Sequence, residues 1–267
     1  MVTHIGAPRR REPATIHING LSKDYSTPRG TVHAMGTVNL TIHAGEFICV
    51  VGTSGCGKST LLRMIAGFEQ PTTGNIKVDT LEVEGPGPER GVVFQDYGLF
   101  PWLTVEENVA WGPHQQHLGK SIVKERCEKY INAVGLERFA NRYPNELSGG
   151  MQQRVSIARV LANEPSVMLM DEPFGALDAM TRSSMQEELV RLHHEIGITV
   201  LFVTHSIEEA VKLANRVVVM TGGAAKGIPG HVRGIVDIDL PAERDVTGER
   251  FNALKRQISQ MVNTEEG

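Results

Sequence analysis

Gly52-Thr53-Ser54-Gly55-Cys56-Gly57-Lys58-Ser59 follows the apolar run Phe47–Val51 and leads directly into a helical segment that begins Thr60-Leu61-Leu62. Glycines at that spacing between a strand and a helix let the backbone curl until its N–H groups face phosphate oxygens at the helix N-terminus. Lys58 then reaches the β- and γ-phosphates of a nucleoside triphosphate, and the Ser59 hydroxyl ligates Mg²⁺. Cys56 sits inside this loop, where its backbone matters and its thiol does not. Further on, Val167-Met168-Leu169-Met170 ends in Asp171 and Glu172. A carboxylate at the C-terminal edge of a strand holds Mg²⁺ through water, and one residue later a second can face the attacking water. Alone, the pair also reads as an acidic strand cap; beside a phosphate-binding loop the chemical reading is favoured. Leu147-Ser148-Gly149-Gly150 opens another helix upstream. It is a second potential anion-binding terminus, at which Ser148 either caps the helix or bonds a phosphate.

These residues need a rigid frame, and the pattern of the chain supplies one. Thr15-Ile16-His17-Ile18 and Val38–Ile42 alternate apolar with polar, as half-buried antiparallel strands do. Phe47–Val51, Val167–Met170, Thr199–Val203 and Val217–Met220 are continuous apolar runs, the pattern of parallel strands buried on both faces. Helices must cover such a sheet. One is expected after Asp178, where Met185, Leu189, Leu192 and Ile196 recur at helical spacing before the next strand. Between about Thr104 and Leu161 the strand pattern disappears, and Val123, Cys127, Tyr130, Ile131 and Val134 mark one helical face. That stretch reads as a helical lobe inserted into an α/β core. From Pro241 onward the chain is polar, with a weak helical pattern in Phe251, Leu254 and Ile258 that reads as a surface helix.

Composition narrows the function classes. The chain of 267 residues is 40% hydrophobic and 22% charged, ordinary for a globular protein with a sizeable core. No apolar run approaches the roughly 20 residues of a membrane-spanning helix, and Met1–Pro13 carries no apolar leader pattern. Cys49, Cys56 and Cys127 are spaced unlike a metal or disulfide framework and read as reduced structural thiols. A net charge of −4 argues against a general nucleic-acid binder. Arg9-Arg10-Arg11 reads as a solvated basic tail, although each arginine near anionic lipid adds about 1 kcal/mol of attraction. His114, His117, His193 and His194 have no partners that would make a ligand set.

Taken together the motifs resemble the ABC ATPases over nearly the whole chain. Leu147–Gly150 match that family's signature, Gln95 its glutamine loop, Gly175-Ala176-Leu177-Asp178 its D-loop, and His205, after the Thr199–Val203 strand, its switch histidine. The resemblance implies an α/β fold: a P-loop, RecA-like nucleoside-triphosphatase core with an N-terminal antiparallel β subdomain and an inserted α-helical subdomain. It divides the chain into a basic tail (1–14), an ATPase domain (15–240, with the helical part at about 96–162) and a C-terminal helix or tail (241–267). It also implies two copies closing head to tail over two ATP molecules. Each ATP would lie between residues 52–60 of one copy and Ser148, Gly149, Gly150 and Asp178 of the other. Tyr25 stands where the family stacks a ring on adenine; otherwise it is a half-buried edge-strand tyrosine. Glu172, His205 and Gln95 would be the catalytic residues, the first two at the attacking water, and Ser59, Gln95 and Asp171 would hold the Mg²⁺.

Glu84-Gly85-Pro86-Gly87-Pro88-Glu89-Arg90-Gly91-Val92-Val93-Phe94-Gln95, with Leu99-Phe100-Pro101-Trp102, is similar to the taurine, nitrate and sulfonate importers, and especially to the taurine type. Pro173-Phe174 fits the same group; Met151-Gln152 departs from it, while Arg154 remains. That resemblance implies a peripheral subunit on the cytoplasmic face of the membrane. Its partners would be permease subunits and, indirectly, a solute-binding protein, with no nucleic acid. The soluble ABC proteins of translation or repair are disfavoured, since the chain has neither paired cassettes nor a basic surface. A catalytically dead binder is disfavoured by Lys58, Asp171, Glu172 and His205. Aromatic residues are 5% of the chain, yet Phe94, Tyr97, Phe100 and Trp102 crowd around Gln95. They either fill the seam between core and lobe or anchor a segment of the pore protein.

Overall fold

A computed structural model describes residues 11–28, 30–223, 227–241 and 243–263. Strands β1 (Ile16–Thr27) and β2 (Gly30–Ile42) form a long antiparallel hairpin; β3 (Phe47–Gly52) follows, then helix α1 (Lys58–Ala66). β4 (Thr73–Val78), β5 (Leu81–Glu82) and β6 (Arg90–Val93) lead to the helical lobe, α2 (Val105–Gln115), α3 (Lys120–Ala133) and α4 (Gly149–Leu161). The chain then alternates through β7 (Val167–Asp171), α5 (Ala179–Ile196), β8 (Thr199–Val203), α6 (Ile207–Leu213), β9 (Arg216–Gly223), β10 (Ile228–Asp237) and α7 (Glu249–Asn263). Strand order is β5-β4-β1-β2-β10-β9-β3-β8-β7-β6. The β9-β3-β8-β7-β6 part is parallel, whereas β1, β2, β4 and β5 pair antiparallel. β10 lies between the two parts, antiparallel to β9 and, among the described residues, bridged to β2 at Gly230 and Met35.

The continuous apolar runs behave as strands buried on both faces must. In β3, Ile48 and Val50 enter one hydrophobic cluster while Phe47, Cys49 and Val51 enter another. Val167 and Leu169 alternate with Met168 and Met170 in the same way, as do Leu201 and Val203 with Val200 and Phe202. The first cluster is closed by Leu61, Leu62 and Ile65 of α1 and by Ile16, Ile18 and Ile42 of the hairpin. The helix that starts at the phosphate loop is therefore packed between the antiparallel and parallel sheets. The second cluster is closed by Met185 and Leu189 of α5, Val211 of α6, Phe251 and Ile258 of α7, and the lobe.

Four strands escaped the sequence reading: β4, β5, β6 and β10. β5 has two residues, β6 four, and β10 carries Pro229, Gly230 and Gly234 and is interrupted by register shifts. β1 also runs past Ile18 to Thr27, because irregularities after Ile18 break the alternation that marks a strand. In the lobe, α3 buries Val123, Cys127, Tyr130 and Ile131 as its spacing predicts, but also Arg126. The Arg126 guanidinium is held 2.7 Å from the Glu164 carboxylate. Of the basic cluster, Arg9 and Arg10 lie outside the described residues. Arg11 is not simply solvated: it donates to the carbonyl oxygens of Pro88 at 3.0 Å and Asn163 at 3.2 Å.

Candidate nucleotide site

The loop of residues 52–59 takes its shape from glycine. Gly55 (φ 82°) and Gly57 (φ 96°) occupy left-handed conformations that side chains disfavour. Gly57 ends the loop as the N-cap of α1, with no side-chain cap bond and no acidic residue in the first turn. The first N–H groups of α1 thus face outward with a helix dipole that favours an anion. Lys58 is buried, and its Nζ donates to the carbonyl oxygens of Gly52 at 3.0 Å and Thr53 at 3.1 Å, crossing the mouth of the loop. Ser54, Gly55, Lys58, Ser59, Thr60 and Glu172 line an open cleft of about 270 Å³. Ala34 of β2 lines it too; the sequence reading missed this residue, since an alanine within a strand carries no chemical signal.

The Ser59 hydroxyl donates to Asp171 Oδ1 at 3.0 Å, joining the start of α1 to the end of β7. Burial pushes the Asp171 carboxyl above its usual range, and the Ser59 bond opposes that shift. A half-buried carboxylate beside a hydroxyl is a hard oxygen donor set that fits Mg²⁺, an ion that keeps several waters and substrate phosphates as its other ligands. Among the described residues no three or more His, Cys, Asp or Glu side chains are grouped so as to hold a metal ion. Glu172 follows in a left-handed conformation, φ 46°, rare for a residue with a side chain. Its Oε2 lies 3.1 Å from His205 Nδ1 just past β8. Strain of this kind concentrates at functional positions, and here it accompanies the turn from β7 into the following loop.

Gln95 lies beyond β6 and is exposed, with its side-chain amide against Gly175: a Cβ added at Gly175 would come within 3.2 Å of Gln95 Nε2. Tyr25 is half-buried opposite Val32 in the hairpin, with Lys23 Nζ 5.0 Å from its ring centroid. Burial, then a hydrogen bond to Glu69, raises the Tyr25 hydroxyl pKa. Cys56 is fully buried. The remaining candidates do not join this cleft. Ser148 is the N-cap of α4, its Oγ accepting from the Met151 N–H at 3.3 Å. Ser148 and Gly150 line a separate depression of about 400 Å³ with Phe139, Arg154 and Met180. Asp178 caps α5, accepting from the N–H groups of Met180 at 3.1 Å and Thr181 at 3.0 Å; the Thr181 hydroxyl, 2.6 Å away, and then these N–H groups lower its pKa.

A lysine-bearing glycine loop on a buried parallel strand, with a serine hydroxyl bonded to the carboxylate that ends a nearby strand, makes the protein a P-loop nucleoside triphosphatase. Residues 35–175 match the ABC transporter family. The nitrate import ATP-binding protein NrtD of Synechocystis sp. is 45% identical over 91% of this chain and 89% of its own. The aliphatic sulfonates import ATP-binding protein SsuB of Bacillus cereus is 43% identical over 92% and 95%. Among solved structures, the dimeric post-hydrolysis state of an ATP-binding cassette bound to ADP and Pi superposes with a TM-score of 0.71 at 33% identity, over 84% of this chain and 98% of that one. The chain belongs to the ABC transporter family, as an ATP-binding subunit of its importer group that hydrolyses ATP to drive transport. No helix among the described residues is long and apolar enough to cross a membrane.

Proposed function

We propose that two copies of this chain share two ATP sites at the cytoplasmic face of a membrane, and that their closure powers uptake of a small oxyanion. The single observation that carries the shared site is spatial. One chain has two glycine-rich helix ends of a kind suited to phosphate, and Ser148 and Gly150 do not line the cleft that Lys58 lines. A second copy supplies what each cleft lacks. Within a site, Lys58 and the α1 N-terminus bind the phosphates, and Tyr25 stacks on the adenine. Glu172 takes the proton of the attacking water while His205 orients it, and Gln95 lies close enough to the Glu172–Asp178 loop to respond to nucleotide. Ser59, Asp171 and Gln95 would hold Mg²⁺, which would neutralise phosphate charge.

Mixing two inactive variants tests the sharing. Lys58→Ala and Ser148→Arg chains each lack hydrolysis alone, but a mixed dimer gathers both defects in one site and leaves the other intact. ATP hydrolysis should return on mixing; its absence from confirmed mixed dimers would rule the shared site out.

The solute reading rests on the 84–102 stretch and on relatives that import nitrate and aliphatic sulfonates. Taurine, itself an aliphatic sulfonate, is the particular solute proposed, delivered to the pore by a solute-binding protein. Cells lacking this chain should lose uptake of taurine and keep uptake of nitrate. Loss of nitrate uptake instead moves the assignment to that anion, and normal uptake of both overturns it.

A further inference from the structure

The turn after Gln95 connects more than its length suggests. Tyr97 (φ 61°) and Gly98 (φ 55°) are consecutive left-handed residues, and only the second is a glycine. A non-glycine residue persists there only where its surroundings over-determine it. Here they do. Arg159, in the last turn of α4, donates to the carbonyl oxygens of both Tyr97 and Gly98, and its guanidinium lies 5.6 Å from the centre of the Phe100 ring. One planar fork thus grips both left-handed residues, a geometry that lysine cannot reproduce.

The side chain that this clamp displays ends at the other end of the same helix. A Cβ added at Gly149 would lie 3.0 Å from the Tyr97 hydroxyl oxygen and 3.5 Å from Leu177 Cδ2. The first residue of α4 is therefore seated against the Tyr97 hydroxyl, and its lack of a side chain is what permits the approach. Phe94, Gly98, Phe100 and Arg159 meanwhile line a groove of about 640 Å³. Tyr97 is absent from the lining of the Lys58 cleft.

We infer that Tyr97 is a positioning residue for ATP hydrolysis across the dimer: clamped by Arg159, it seats the Ser148-Gly149-Gly150 end of α4 against the nucleotide held by the partner's Lys58. The inference rests on the shared-site reading above. It assigns Tyr97 to the opposite site from Gln95, two residues away, whose amide faces the Gly175 loop that follows Glu172 of its own chain.

Purified full-length Tyr97→Ala should bind ATP like the parent and melt normally, yet hydrolyse it about tenfold more slowly or worse, since misplacing a positioning group by about 1 Å costs up to about 10²-fold. The decisive readout is which partner restores it. Mixed with Lys58→Ala, the Tyr97→Ala chain keeps its own cleft, now covered by a normal Ser148 end, so activity should recover. Mixed with Ser148→Arg, each site carries a defect, so it should not. A residue acting on its own cleft gives the opposite pattern, and that pattern overturns the inference, as does recovery with both partners or neither, or parental activity of Tyr97→Ala alone. The Lys58→Ala and Ser148→Arg pair is the control: if it fails to recover, the shared site itself falls and this inference with it. Should Tyr97→Ala not fold, Tyr97→Phe, which removes only the hydroxyl over Gly149, is carried through the same pairings and judged alike.

Discussion

Glu172→Gln is expected to leave ATP binding intact while slowing hydrolysis by about 10² to 10⁴, the usual contribution of a positioned general base. Glutamine has the same length and shape, so the left-handed backbone at φ 46° is no more strained than before. The phosphate contacts of Lys58 and α1 are untouched, and only the ability to take a proton is lost. With closure permitted and turnover blocked, the variant should accumulate as an ATP-bound dimer, seen as an ATP-dependent shift in size-exclusion chromatography. Hydrolysis at the parental rate would remove Glu172 from the role of base, leaving His205, 3.1 Å away, as the next group to test.

Trp102→Ala is expected to abolish transport without harming the fold or basal ATP hydrolysis. The four aromatics near Gln95 do not all fill the seam between core and lobe. Trp102 is 68% exposed and Phe94 41%. The segment that carries Trp102 is fastened from beneath by Asn108, fully buried, which accepts from the Phe100 N–H and donates to the carbonyl oxygens of Phe100, Leu103 and Thr104. The indole thus rests on a rigid mount, 5.7 Å from Phe100, and the mount does not need it. An exposed tryptophan so held is a favoured anchor for a partner, and truncating one costs about 2 kcal/mol or more of binding. Pull-down of the pore subunit should weaken while the melting temperature holds. A collapsed melting temperature would return Trp102 to core packing; unchanged pull-down and transport would take it off the docking surface.

How much of this was legible from sequence follows from where each signal resides. The phosphate loop was legible because its chemistry is local: eight consecutive residues, a buried strand before them and a helix after. Asp171 and Glu172 were legible because an apolar run stops at them. The bond from Ser59 to Asp171 spans 112 residues, and only the parallel order of β3, β8 and β7 brings the two together. Asp178 could be read as a nucleotide contact by likeness, but its present bonds are those of a helix cap. The Arg159 clamp was invisible: an arginine within a helix reads as a solvated face, and its partners lie about 60 residues away as backbone oxygens that any residue type would offer. Trp102 lay in a stretch without periodicity, so whether it faced inward or outward was undecided until the Asn108 bonds were seen.

The separation of the Ser148 end from the Lys58 cleft also bears on reaction order. A free chain owns half of each site, so under the proposed sharing the turnover per chain depends on how often two chains meet, and dilution silences the enzyme without damaging it. A pore that holds one copy on each of its halves replaces that encounter by tethering, which raises the effective concentration to about the millimolar range. The membrane partner then acts as activator as well as load, raising hydrolysis above its basal rate in assemblies that have something to move.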